Sequence, residues 1–223
     1  MDVAILAGGL SHERDVSVRS GRRVAGVLQD AGARVQVHDV DADLIPSLRA
    51  QRPDVVWPLV HGSTGEDGSL QHLLDLLDLP YVGSDAAACR LASHKPVAKT
   101  LLRAAGVATP ASASLPQSVF RQMGAQAVLS AVLKNLGLPL VVKPADGGSA
   151  LGVTMVTTTD QLPEAMVSCF AYGDEALIES AVAGTEVAVS VVDLGDGPRA
   201  LPPVEIVTDG AYDYDARYNA GRT

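Results

Sequence analysis

Cysteine is scarce in this chain: 223 residues hold two, Cys89 and Cys169, with no CxxC spacing and no histidine cluster beside them. Nothing in that spacing suggests a thiolate metal site, and both read as small buried apolar residues in a reducing compartment. Positive charge is also short, with 17 Lys and Arg against 26 Asp and Glu and a net charge of -9. That balance argues against a general nucleic-acid surface or an anionic-membrane surface. Any anion site must then be a local basic pocket. No apolar run reaches the ~18 residues of a membrane span, and no signal-peptide pattern is present, so the expectation is a soluble cytoplasmic protein. Internal repeats and low-complexity segments are absent. So is a Walker loop, since no Gly-Lys-Ser/Thr leads into a helix.

What is present is 47% hydrophobic sequence in an alternating order, enough for a sizeable core and more than one compact unit. Predicted strands at DVAIL, RVQVHDV, DVVWPLV and PYVG alternate with helical stretches at VSVRSGRRVAGVLQDAG, DLIPSLRAQ and SLQHLLDLLD. This βαβ rhythm predicts a parallel sheet over residues 1–85. A second unit, residues 86–175, carries helices around AAACRLASHKPVAKTLLRAAG and VFRQMGAQAVLSAVLKNLG. The first of these ends at a glycine stop, Gly106, and VATPASASLPQS behind it reads as loop, with two prolines. A strand-rich third unit spans residues 176–223.

The most informative stretch is LPLVVKPADGGSALGVTMV, from Leu138 to Val156. An apolar run ends at Lys143, crosses a loop holding Gly147, Gly148, Ser149 and Gly152, and re-enters a β-branched run. Such a loop can lay backbone N–H groups along a phosphate chain while the lysine supplies a point charge, which points to a nucleoside triphosphate. Taken alone, the same stretch is equally a glycine hairpin with a solvated lysine. Two further stretches collect polar groups at predicted strand ends: VAILAGGLSHERDVSVRSG, with Glu13 and Arg14, and VHGSTGEDGSLQHL, with His61, Glu66 and Asp67. Open α/β sheets place ligands at such ends. ALIESAVAGTEVAVSVV then sets Glu179 and Glu186 seven residues apart, and PPVEIVTDGAYDYDARYNAGRT closes the chain.

In register, AGGLSHERDVS, HGSTGEDGSLQ, YVGSDAAACRLASHK, PLVVKPADGGSALGV, IESAVAGTEVAV and PPVEI followed by YDYDARY resemble the D-alanine–D-alanine ligases of the ATP-grasp superfamily. The resemblance implies an α/β chain: a parallel-sheet N-terminal domain that carries the first substrate loops, followed by an ATP-grasp domain whose last lobe is incomplete. It implies ATP-dependent joining of two D-alanines through a D-alanyl phosphate for peptidoglycan precursors, with magnesium, or manganese in its place. No nucleic-acid or membrane partner is implied, and a homodimer is. The family's metal-binding carboxylates and asparagine, and an arginine at the reacting centre, fall beyond the segment matching Tyr212 to Thr223. The expectation is therefore a fragment with no metal ligand within the chain.

Residue by residue, the resemblance gives Lys143 and Lys95 to the phosphates and Gly147, Gly148, Ser149 and Gly152 to the loop over them. Glu186 falls to the ribose hydroxyls, Glu179 to Val182 to the linker facing adenine, and Arg217 to a phosphate contact. It gives Glu13 the ammonium of the first D-alanine, with His61 beside that substrate, and Ser149 and Tyr218 as hydrogen-bond partners that close loops over Glu13. Each has a plainer alternative. Lone lysines are solvated, Glu13 is a helix-start acid, a strand-end histidine is structural, and Glu179 and Glu186 are exposed strand-edge glutamates. Four positions depart from the family pattern: His94 for aspartate, His72 for glycine, Ala150 for a second serine and Arg217 for lysine. They leave room for another second substrate, D-lactate, D-serine or another amino acid, while the incomplete last lobe leaves room for a degenerate, non-catalytic nucleotide-binding chain.

Overall fold

The computed structural model describes residues 1–218; the end of the third predicted unit, 219–223, lies outside them. In chain order the elements are β1 (Asp2–Leu6), α1 (Arg14–Asp30), β2 (Arg34–His38), α2 (Leu44–Gln51), β3 (Val55–Pro58), α3 (Ser63–Glu66), α4 (Ser69–Leu76), α5 (Ala86–Ser93), α6 (Lys95–Ala104), β4 (Ser112–Pro116), α7 (Gln117–Met123), α8 (Ala125–Leu136), β5 (Leu140–Pro144), β6 (Thr154–Val156), α9 (Leu162–Phe170), β7 (Glu175–Ser180), β8 (Val187–Ala188), β9 (Val191–Asp193), β10 (Pro198–Ala200), β11 (Val204–Glu205) and α10 (Tyr214–Tyr218). No helix among the described residues is long and apolar enough to cross a membrane.

The first sheet is parallel, in the order β2-β1-β3. The expected fourth strand, PYVG, is reduced to one parallel bridge between Val56 and Tyr81. Strand periodicity sorts β1 and the residue that follows it onto two faces. Val3, Ile5 and Ala7 meet Val24, Ala25 and Leu28 of α1, while Ala4 and Leu6 meet Leu44 and Leu48 of α2 and Leu70 and Leu74 of α4. Covering both faces is why β1 reads as an unbroken apolar run rather than an alternating one. Leu6, Leu48 and Leu74 are fully buried, each stabilising the fold by about 1.5–3 kcal/mol.

A second sheet is antiparallel, in the order β4-β7-β5-β6. Its core face carries Leu140, Val142, Val156, Ala176 and Ile178, packed under Leu129 and Val132 of α8 and Leu162, Ala165, Met166 and Cys169 of α9. The alternate residues, Val141, Lys143 and Glu179, therefore point to the opposite face. Two further ribbons, β8 with β11 and β9 with β10, are antiparallel pairs.

Three sequence expectations are corrected. The stretch read as loop before Gln117 contains β4, an edge strand paired only with β7. Its serines and closing Pro116 give no apolar alternation, and a proline survives because an edge strand leaves N–H positions unpaired. Cys169 is fully buried, with its thiol pushed up to about 11 by desolvation, but Cys89 is half-buried rather than buried. The helical stretch 86–106 also divides, at His94, where the backbone is extended and Pro96 starts α6 in its first turn.

Gly65 is where the fold has least space. A Cβ there would lie 1.9 Å from the Val60 carbonyl oxygen, a backbone atom that cannot rotate away. Gly65→Ala should displace α3 and destabilise the protein by about 1–3 kcal/mol. At Gly26, inside α1, a Cβ meets nothing within 4 Å, so Gly26→Ala should stabilise by roughly 0.5–1 kcal/mol. Thermal denaturation of both variants checks the pair; equal midpoints would contradict the packing account.

Candidate active site

The carboxyl ends of β1 and β3 face the loop between β5 and β6. After β1 the backbone turns through Gly8 and Gly9, with φ of 114° and 80°, and a Cβ on Gly8 would sit 2.2 Å from Asp39 Oδ1. Asp39 secures this turn. Its Oδ1 accepts from the Gly9 N–H at 2.8 Å, and Arg14, which pairs with Asp39, donates to the Gly9 carbonyl at 2.8 Å. The Arg14 guanidinium chiefly holds the Asp39 carboxyl down, to about 2.

The turn delivers Glu13 to the start of α1. Glu13 is only 4% exposed and makes no side-chain cap to its own helix. Its carboxylate instead accepts a hydrogen bond from Ser149 Oγ, which lies 2.6 Å from Tyr218 Oη. Three segments separated by 136 and 69 residues thus meet through one hydroxyl. A Cβ on Gly148 would lie 3.5 Å from Glu13 Oε1 and 3.8 Å from Glu66 Oε2, ordinary contact distances that show how closely the loop approaches both acids.

His61 stands at the end of β3. Its Nδ1 is 3.5 Å from Glu66 Oε1, its Nε2 is 3.3 Å from Ser20 Oγ, and its carbonyl accepts from Ser11 Oγ at 2.7 Å. Glu66 is the main cause that raises the imidazole above its ordinary 6.5, with burial opposing. Tyr218 is tied to α1 by its carbonyl, which accepts from Arg19 at 3.2 Å, while that guanidinium lies 5.9 Å from the tyrosine ring.

Beside this cluster opens a cavity of about 540 Å³, lined by Lys95, Lys143, Gly147, Gly148, Ser149, Ala150, Glu186 and Arg217 among others. Lys95 Nζ donates to the carbonyls of Pro144 at 3.0 Å and Gly147 at 2.7 Å. Burial, and then the charge of Lys143, lowers its pKa. Lys143 Nζ pairs with Glu179. Ser149 and Ala150 have φ of 56° and 58°, a left-handed backbone that side chains rarely adopt and that places strain at the loop's apex. Arg217 stacks on Tyr212 at 4.2 Å.

Not every expected residue lines the cavity. Gly152 packs beneath the loop, where a Cβ would meet Tyr172 at 2.8 Å. Val182 is 74% exposed. Glu179 lies on central strand β7, buried between Lys143 and Lys99, so an exposed strand edge does not describe it; Glu186 is exposed just before β8 and does line the cavity. His94 Nε2 is 3.5 Å from Glu175, with Nδ1 buried and unpartnered, and His72 pairs with Asp75 on the outer surface of α4. The sequence places Glu66 only among the polar groups at a strand end, with no individual role, and gives none to Ser20, Asp39 or Lys99. Of the last three only Lys99 has a local signal, its position four residues after Lys95. Among the described residues no group of three or more His, Cys, Asp or Glu could hold a metal ion.

Comparison with known proteins gives a consistent picture. Residues 44–84 match the family sequence model described as D-ala D-ala ligase N-terminus, and residues 101–223 match its C-terminus counterpart. A D-alanine--D-alanine ligase of Gloeobacter violaceus is 42% identical over 223 residues, 99% of this chain and 71% of the relative. The D-alanine-D-alanine ligase structure from Coxiella burnetii superposes with a TM-score of 0.76 at 27% identity, over 92% of this chain and 70% of that one. The Bacillus anthracis D-alanine--D-alanine ligase complexed with ATP gives 0.75 at 26% identity, over 97% and 68%.

Proposed function

The chain belongs to the D-alanine–D-alanine ligase family, and on that premise we propose that it joins two D-alanines at the expense of ATP, with the nucleotide in the Lys95–Lys143 cavity and the first D-alanine against Glu13. The observation that carries this reading is the contact of Glu13, Ser149 and Tyr218 at the mouth of that cavity. It sets a buried carboxylate, suited to an ammonium group, in direct hydrogen-bond contact with a loop suited to phosphate.

The chemistry follows from that adjacency. A carboxylate oxygen of the first D-alanine attacks the γ-phosphorus of ATP, the bond to the β-phosphate oxygen breaks, and ADP leaves. The amine of the second D-alanine then attacks the acyl carbon, loses a proton and expels phosphate. The protein's part in such transfers is positioning and charge stabilisation. Glu13 holds the first ammonium and His61, kept cationic-leaning by Glu66, orients the same substrate. Lys143 and Lys95 meet the phosphates, with Gly147, Gly148, Ser149 and the Ala150 backbone above them. Glu186 takes the ribose, the 179–182 linker faces adenine, and Arg217 and Tyr218 close the lid, excluding water from the acyl phosphate. Magnesium, or manganese, belongs to the reading as the ion of the triphosphate. Among the described residues no cluster of His, Cys, Asp or Glu is fitted to it. A cytoplasmic homodimer making peptidoglycan precursor completes the proposal.

The test is phosphate release from ATP by the protein expressed from its complete gene, with D-alanine, L-alanine or D-lactate as acceptor. Because Glu13 and His61 fix the ammonium from one side, turnover is expected with D-alanine and not with L-alanine. Equal turnover of the enantiomers would remove the D-alanine assignment, and faster turnover with a D-alanine and D-lactate mixture would move the second substrate.

A further inference from the structure

Lys99 has no role in the reading above, yet it is one of the few buried charged side chains. It sits one turn after Lys95 on α6, on the same side of the helix. Its Nζ donates to Glu179 Oε2 at 2.7 Å and to the Pro110 carbonyl at 3.1 Å. The other carboxylate oxygen of Glu179 accepts from Lys143 Nζ. Sheet register brings the last two together: Val141 is opposite Glu179 and Lys143 opposite Leu177, so Lys143 and Glu179 are diagonal neighbours on the face away from the core.

Charge and access separate the two lysines. Lys143 lines the cavity with its side chain 24% exposed, whereas Lys99 is 10% exposed and does not line it. A Lys143–Glu179 pair alone is neutral overall and would present a polyphosphate with a dipole. With Lys99 added outside the cavity, the cluster carries one net positive charge. Burial works to raise the Glu179 carboxyl, but hydrogen bonds from Lys143 and Lys99 outweigh it and the net direction is down, so the acid stays ionised between them.

We propose, resting on the nucleotide reading just given, that Lys99 is a positioning residue: it balances Glu179 from outside the cavity, so that Glu179 can hold Lys143 at the wall without cancelling the charge that the phosphates require.

The test is equilibrium binding of ATP and of adenosine to the protein expressed from its complete gene, comparing the native sequence with Lys99→Met, Lys99→Arg, Lys143→Met and the double variant Lys99→Met with Glu179→Gln. Lys99→Met should weaken ATP binding roughly tenfold and adenosine binding by no more than about twofold, because the lost charge acts on phosphate. Lys99→Arg should keep most of the ATP affinity. The double variant should regain most of what Lys99→Met loses, since Lys143 is then uncancelled. A merely structural lysine predicts the opposite: equal losses for ATP and adenosine, and a double variant no better than the single one. Either result overturns the proposal. Should Lys99→Met fail to fold, the double variant, which removes both charges of the buried Lys99–Glu179 pair and leaves Lys143 at the cavity wall, decides alone. ATP affinity well above that of Lys143→Met supports the proposal, and affinity as low as that variant's refutes it. If Lys143→Met leaves ATP binding unchanged, the nucleotide reading itself falls. If Lys143→Met weakens ATP binding and Lys99→Met does not, only the role of Lys99 falls.

Discussion

Replacing Glu13 by glutamine should cut kcat/KM for D-alanine by roughly thirtyfold or more, corresponding to about 2 kcal/mol or more for truncating one member of a buried charge pair. The shape of the side chain is kept and its charge removed. Glu13 is almost fully buried and already accepts from Ser149, so an ammonium placed against it meets the carboxylate with little competing water. The amide would leave that ammonium buried and unbalanced. Because Ser149 also touches Tyr218, the variant loosens the lid as well as the substrate, and saturating D-alanine should not restore full turnover. Steady-state kinetics over a wide D-alanine range checks this. A Glu13→Gln enzyme with native kcat/KM would show that the buried carboxylate only starts a helix.

Lys143→Ala should act at the other end of the site. Removing a charge-assisted contact to phosphate costs about 1.5–3 kcal/mol, or roughly 10- to 100-fold in ATP affinity. The surrounding structure tolerates the change because Glu179 keeps its bond from Lys99, so the loss should appear in nucleotide binding rather than in the thermal midpoint. A variant that binds ATP as the native chain does would place the phosphates elsewhere.

Much of this arrangement was legible in the chain. The apolar run of β1 and the leucine pairs at Leu44 and Leu48 and at Leu70 and Leu74 carry their own periodicities, and they specify a parallel sheet covered on both faces. The glycine loop announces a hairpin, and β5 and β6 form it. β4 was missed because an edge strand of serine, alanine and proline has no hydrophobic alternation to detect; only its pairing with β7 defines it. The two glutamates of ALIESAVAGTEVAV looked equivalent in sequence. One is buried at the centre of a sheet and the other exposed, and that difference arises from strand order, which no local pattern encodes. The Lys99–Glu179 pair spans 80 residues and was invisible for the same reason. Glu66 reaches His61 because α3 forms within a stretch that reads only as turn.

The central claim is that one site has two separable ends, a carboxylate end for the first amino acid and a lysine end for the nucleotide. The most direct test is the ATP affinity of Glu13→Gln measured beside that of Lys143→Ala. The account predicts near-native ATP binding for Glu13→Gln and a loss of roughly 10- to 100-fold for Lys143→Ala. Equal losses of ATP affinity in the two variants would contradict it.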